Sequence, residues 1–190
     1  MTWKNTTARY GSLSIGLHWL MLLLFIAVYA LIELREIYPK GSDPREAMKT
    51  WHFMTGMLLF WLTWLRLAAR VSGPTPDIAP LPPNWQQLLA KAVHLALYLL
   101  MIVMPLTGWL LLSAAGKPIP FFGLELPALI GVDKDLAGEI KEVHEVIGTI
   151  GYYLIGLHVV AALYHHYFVK DNTLTRMLPS TCLPPTPGTK

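Results

Sequence analysis

Four stretches of this chain run without Asp, Glu, Lys or Arg: residues 10–32, 50–65, 92–116 and 146–169, of 23, 16, 25 and 24 residues. A helix needs roughly 20 apolar residues to cross about 30 Å of hydrocarbon. The second stretch is short, but it extends past Arg66, because a terminal arginine can snorkel to the interface. The pattern predicts an all-α integral membrane protein, a bundle of four transmembrane helices. Residues 33–49 form a charged loop. The segment "SGPTPDIAPLPP" (72–83) is too rich in proline for a helix and reads as an extended surface connection. Pro105 should kink the third span or free a carbonyl there. Residues 117–132 read as a loop near the interface. From Asp133 or Asp135, either suited to an N-cap, the polar helical stretch "DLAGEIKEVHEVIG" runs into the fourth span and places His144 on a continuous helix.

Composition narrows this further. The chain is 54% hydrophobic and 14% charged, with mean hydropathy +0.44, outside the range of an ordinary soluble domain. The first apolar stretch is longer than the core of a signal peptide and no A-x-A site follows it, so it is expected to remain as a span. Cys182 is the single cysteine, which excludes a disulfide framework and a cysteine-based metal site. The expected organisation is one membrane domain over residues 9–178 and a disordered proline-rich tail over 179–190. Membrane lipid is the surrounding partner, and nothing points to nucleic acid.

Four spans put both termini on one side. That side carries 8 Lys/Arg and the opposite side 7, a near tie by the positive-inside rule. The acids are lopsided, with Asp77 and Asp171 on the terminal side and 10 on the other. The charge pattern leans towards cytoplasmic termini.

The candidate chemistry lies in seven histidines. His144 and His158 are 14 residues apart, which returns to within about 40° of the same helix face after a rise of roughly 21 Å. Gly151 lies midway and removes side-chain bulk from the strip between them, as if something flat lay there. His52 stands at the loop-side end of the second span, level with His144. His18 lies in the first span at a depth matching His158. Gly56 and Gly148 each follow a histidine by four residues and leave room on its face.

Imidazoles in hydrocarbon need their nitrogens satisfied, at about a few kcal/mol otherwise. Two facing histidines can ligate both axial positions of a haem iron, and bundle cores commonly hold such groups. Without a C-x-x-C-H motif, the haem would be non-covalent haem b, two per chain. Taken singly, a histidine at a helix end is more often interfacial. His166 falls there, and His94 divides between the two readings. A histidine-lined metal transporter would be expected to carry Asp or Glu within its spans, and these carry none.

At these residues the chain resembles the bacterial cytochrome b561 family. The similarity covers residues 9–178 and rests on "SIGLHWLMLLLFIAVYA", "MKTWHFMTG", "EVHEVIGTIGYYLIGLH" and "HHYFVKDNTLTRML". The resemblance implies axial ligation by His18, His52, His144 and His158, an inner-membrane location and cytoplasmic termini. It further implies electron exchange with ubiquinone, and for some members oxidation of superoxide to dioxygen. Broader relatives are cytochrome b subunits that carry electrons from a partner redox enzyme to quinone, which leaves an electron-conduit role as the alternative.

Within that frame, ubiquinone calls for a hydrogen-bond donor and proton path near the second haem. His165 lies seven residues past His158, about 10 Å nearer the cytoplasm. His94, Lys170 and Asp171 are expected at a similar level, beside the aromatic run Tyr164, Tyr167 and Phe168. On the donor side, Lys117 and Lys134, with Arg35 and Lys40, are the cations available to steer an anion such as superoxide.

Overall fold

The computed structural model describes residues 3–179. Four long helices follow one another: α1 (Ser12–Leu34), α2 (Asp43–Val71), α3 (Asn84–Ala114) and α4 (Lys134–Tyr164). α1 packs along α2, α2 against α3, and α3 along α4. Tyr29 and Tyr152, their rings 4.1 Å apart, bridge the remaining seam between α1 and α4.

The bundle is apolar on its outside as well as within. Leu23, Ile26, Leu99, Val146, Ile150 and Val160 are large apolar side chains left exposed along three of the helices. Water would not tolerate so continuous an apolar surface on a monomer, whereas lipid favours it. The central packing joins Met21 of α1, Leu59 of α2 and Met101 of α3. Three segments are long and apolar enough to cross a membrane: Ser12–Ile37, Asn84–Ala114 and Lys134–Val169. By that measure α2 is not a fourth. It opens with Asp43, Arg45, Glu46 and Lys49, carries Arg66 and Arg70 near its end, and buries Met54, Met57, Leu59, Phe60 and Thr63 in the bundle.

α4 starts where the Asp133 carboxylate accepts the backbone N–H groups of Asp135 and Leu136, the N-cap arrangement that satisfies a helix's first free donors. From there it is continuous past His144. It passes into one π-type turn, His165–Val169, and ends at Lys170, whose φ of 60° is left-handed. Pro105 lies within an uninterrupted α3. The connection 117–132 is not simply a loop. It contains a two-residue hairpin, β1 (Pro120–Phe121) with β2 (Leu124–Glu125), turned by Phe122 and Gly123 at φ 46° and 87°. The glycine admits its left-handed backbone without strain.

The proline-rich connection is extended and docks against the C-terminal segment. Asn172 donates to the Asp77 carbonyl at 3.2 Å and accepts from the Ala79 N–H at 2.9 Å. Arg176 donates to the Pro76 carbonyl. Residues 180–190, nearly all of the expected tail, lie outside the described residues.

Candidate functional site

His52 of α2 and His144 of α4 face each other with ring centres 6.3 Å apart, and His18 of α1 and His158 of α4 do so at 6.2 Å. Two imidazoles bound to opposite faces of one metal are expected about 6.3 Å apart, taking the metal–nitrogen bond as about 2.0–2.1 Å and the nitrogen as about 1.1 Å from the ring centre. Both pairs therefore fit a single metal ion between them. Among the described residues, no group of three or more His, Cys, Asp or Glu could hold a metal ion unaided. The remaining ligands would have to come with the metal, as they do in a porphyrin.

The first pair is also set in the tautomer that ligation requires. His52 Nδ1 lies 2.9 Å from the Val28 carbonyl, which can only accept, so Nδ1 carries the proton. The Thr107 hydroxyl donates to the Met104 carbonyl at 2.8 Å and thus presents a lone pair to His144 Nδ1, 2.9 Å away. In both rings the Nε2 lone pair is left free. Outer hydrogen bonds of this kind fix the orientation and basicity of metal-binding histidines.

A cavity of about 310 Å³ opens between these rings, with walls that include Phe25, Met57, Met101 and Leu112. Gly56, Gly108 and Gly148 line it. A methyl group added at Gly56 would meet nothing within 4 Å, and one at Gly108 would come 3.4 Å from His144 Cε1. Apolar walls, three glycines and the two histidines that line the space fit a flat metal-bearing ring. The strip around Gly151 does not. A Cβ there would meet the Tyr29 hydroxyl and, at 3.2 Å, Leu100, so the space the sequence left open is filled by the protein itself. Tyr29 needs that approach to donate to the Gly148 carbonyl at 2.9 Å.

At the second pair, His94 of α3 joins as a third ring, 5.5 Å from His158. It stands among the paired imidazoles, not beside His165, because α3 brings it up against α4. His18 Nδ1 here faces the Arg66 guanidinium at 3.1 Å.

His165 has another partner. Its Nδ1 lies 2.5 Å from Asp171 Oδ2, whose carboxylate is fully buried and also accepts the Thr173 N–H at 2.8 Å. Burial works against this carboxylate, yet the His165 imidazole and Thr173 hold its pKa below the ordinary 3.8. Tyr164 and Phe168 stack 5.5 Å apart beside it. Tyr167, Phe168 and Lys170 are exposed.

On the other end of the bundle, Lys117 and Lys134 are carried by adjoining segments, since the Asp133 N–H bonds the Ala114 carbonyl at 2.9 Å. Among the described residues neither lysine is within ion-pair distance of a carboxylate, whereas nearby acids are taken up: Glu36 by Arg35 and Arg45, Glu46 by Lys49, and Glu145 by Lys141. Lys40 is exposed and Arg35 lines the cavity. Reading the sequence missed Thr107, Gly108, Tyr29 and the role of Arg66. No local signal marks Thr107 as the partner of a histidine 37 positions away.

The family model described as Prokaryotic cytochrome b561 matches residues 9–180. The chain is 38% identical over 171 residues to Cytochrome b561 homolog 1 of Escherichia coli K12, covering 90% of this chain and 97% of that protein. It is 40% identical over 171 residues to the Probable superoxide oxidase CybB of Yersinia pestis, covering 90% and 96%. Cytochrome b561 homolog 2 of Escherichia coli K12 is 34% identical over 182 residues, covering 94% and 95%.

Proposed function

The chain belongs to the prokaryotic cytochrome b561 family, and we propose on that premise that it moves electrons between a periplasmic donor, superoxide, and ubiquinone. Membership makes it a bacterial multi-pass membrane protein, a b-type cytochrome of electron transport. In this reading α2 is the fourth span, both termini are cytoplasmic, the membrane is the inner one, and residues 9–178 are a single domain. His52 with His144 holds one haem b, and His18 with His158 a second. The observation that carries the reading is the pair of imidazole spacings, 6.3 and 6.2 Å, with both Nδ1 atoms of the first pair turned onto acceptors.

Haem bound by two imidazoles supplies outer-sphere one-electron transfer, its iron closed to substrate. The chain's own part is position, burial and protons. Val28 and Thr107 hold the first pair in register. The apolar walls keep water out of the cavity and lower the local dielectric. Lys117 and Lys134 offer positive charge at the donor-side end. Each superoxide gives up one electron to become dioxygen, whereas ubiquinol formation takes two electrons and two protons. The two haem positions match that need for a pair of electrons.

The protons and the carbonyl contact fall to His165. With Asp171 ionised and accepting from Nδ1, the protonated imidazolium of His165 donates its Nε2–H to a quinone oxygen and passes that proton on, a role that suits histidine near neutral pH. Lys170 and Asp171 complete the path to the cytoplasm, and Tyr164 and Phe168 flank the ring. The second haem site, with His94, lies about 10 Å further in.

Rapid mixing of the purified protein with superoxide, in the presence and absence of ubiquinone, tests this directly. The expected result is fast reduction of the haem spectrum by superoxide and reoxidation that depends on ubiquinone. A protein whose haems superoxide does not reduce would not have this function.

A further inference from the structure

Three arginines meet at the cytoplasmic end of the bundle, and none has a carboxylate within ion-pair distance among the described residues. Arg66 and Arg70 lie one turn apart on α2, and Arg176 comes from the C-terminal segment. Arg70 donates to the Tyr10 hydroxyl at 3.2 Å, and Arg176 lies over the same ring, 5.7 Å from its centre. The charges of all three reach His94. Arg176 Nε is buried without a hydrogen-bond partner.

Like charges four residues apart on a helix repel, and charges withdrawn from water require a partner. The two acids of this end do not provide it. The Asp171 carboxylate is held by His165 and Thr173, and both it and Asp77 act on Arg176 only from beyond ion-pair distance. A guanidinium presents a planar fork that matches a carboxylate. Three such forks side by side suit an anion with more than one carboxylate.

His18 indicates which anion. A guanidinium can only donate, so Arg66 at 3.1 Å from His18 Nδ1 occupies that nitrogen's lone pair and leaves the ring proton on Nε2. A ring in that tautomer cannot bind a metal through Nε2. His52 and His144 show the opposite, ligation-ready arrangement. Arg66 also bonds the Tyr98 hydroxyl, so a ligating His18 would leave its guanidinium to Tyr98 and to an anionic acceptor beside the metal.

We propose that Arg66, Arg70 and Arg176 form the receptor for the two carboxylates of the haem that His18 and His158 would hold. The proposal rests on the two-haem reading above. Arg66 acts here as a positioning residue, and its capture of a carboxylate places positive charge close to that haem, which favours the reduced iron.

The test uses the full-length protein purified from membranes, with haem counted per chain and each haem's midpoint potential measured. Arg66→Gln together with Arg70→Gln should lower haem content from about two to about one per chain. Adding His144→Ala to that variant should remove the remaining haem, and retention of the His52/His144 haem before that change reports correct folding. Arg66→Lys keeps the charge but not the fork. It should retain both haems with dissociation of one of them faster by about 10-fold or more, in the range typical of lost outer hydrogen bonds. A Gln variant that still holds both haems should show one potential shifted negative. Two retained haems with both potentials unchanged would overturn the proposal. So would intact haems accompanied by loss of co-purified anionic phospholipid, which would assign the guanidiniums to a lipid phosphate. An unmodified protein carrying fewer than two haems would instead bring down the two-haem reading beneath it.

Discussion

Thr107 Oγ1 sits 2.9 Å from His144 Nδ1 and donates its own O–H to the Met104 carbonyl at 2.8 Å, so the hydroxyl can serve the imidazole only as an acceptor. Thr107→Val preserves shape and removes that acceptor. The expected result is haem affinity weakened at one site by about 10- to 100-fold, with Thr107→Ser close to the unmodified protein. Competition for haem by an external acceptor protein, followed spectroscopically, checks it.

Two haems per chain is the expected stoichiometry, measured as pyridine haemochrome against polypeptide. His144→Ala and His158→Ala should each remove one haem and leave the other's spectrum. If either variant kept both haems, the pairing would be wrong.

His165→Ala and Asp171→Asn should retain both haems and slow ubiquinone-dependent reoxidation by about 10-fold or more, the usual scale for a lost acid–base group. Unchanged reoxidation would remove this pair from the quinone site. The same contact has a pH signature. Because the folded pKa of Asp171 lies below the ordinary 3.8, its stabilisation is fully present above that value and is lost as the pH falls below it. Limited proteolysis of the C-terminal segment should rise on acidification through that range, and Asp171→Asn should abolish the transition.

Gly151→Ala drives a methyl group against the Tyr29 hydroxyl and breaks its 2.9 Å bond to the Gly148 carbonyl. Overpacking of this kind costs about 1–3 kcal/mol, read as a lower Tm in detergent. In a Tyr29→Phe background, which removes the obstructing oxygen, the same substitution should cost less. Equal costs in the two backgrounds would show that the hydroxyl is not the obstacle.

Charge reversal at Lys117 or Lys134 should slow reduction by superoxide, and added salt should do likewise, since the nearby carboxylates Glu46 and Glu145 are paired with other lysines. Rates insensitive to both would rule out electrostatic steering.

Hydrophobic periodicity and helix geometry made much of this legible. Charge-free length marked the apolar helices, and the recurrence of 3.6 residues per turn set His144 and His158 on one face of α4. Asp133 announced the start of that helix, because N-capping is a local interaction. α2 was harder. Its tryptophans, histidine and arginines weaken its apolar signal, since a helix packed among other helices and a bound group need not look apolar throughout.

What the sequence by itself determined is therefore everything that depends on neighbours along the chain: helices, their faces, and the depths of their histidines. Tertiary structure decided what depends on neighbours across it. Only packing brought Thr107 under His144, filled the Gly151 strip with Tyr29, set His94 against His158 and drew Arg66, Arg70 and Arg176 together with no described carboxylate in ion-pair distance. Such contacts join residues tens of positions apart. They depend on which helices adjoin and on where side chains point, and no spacing rule within a single helix carries that information.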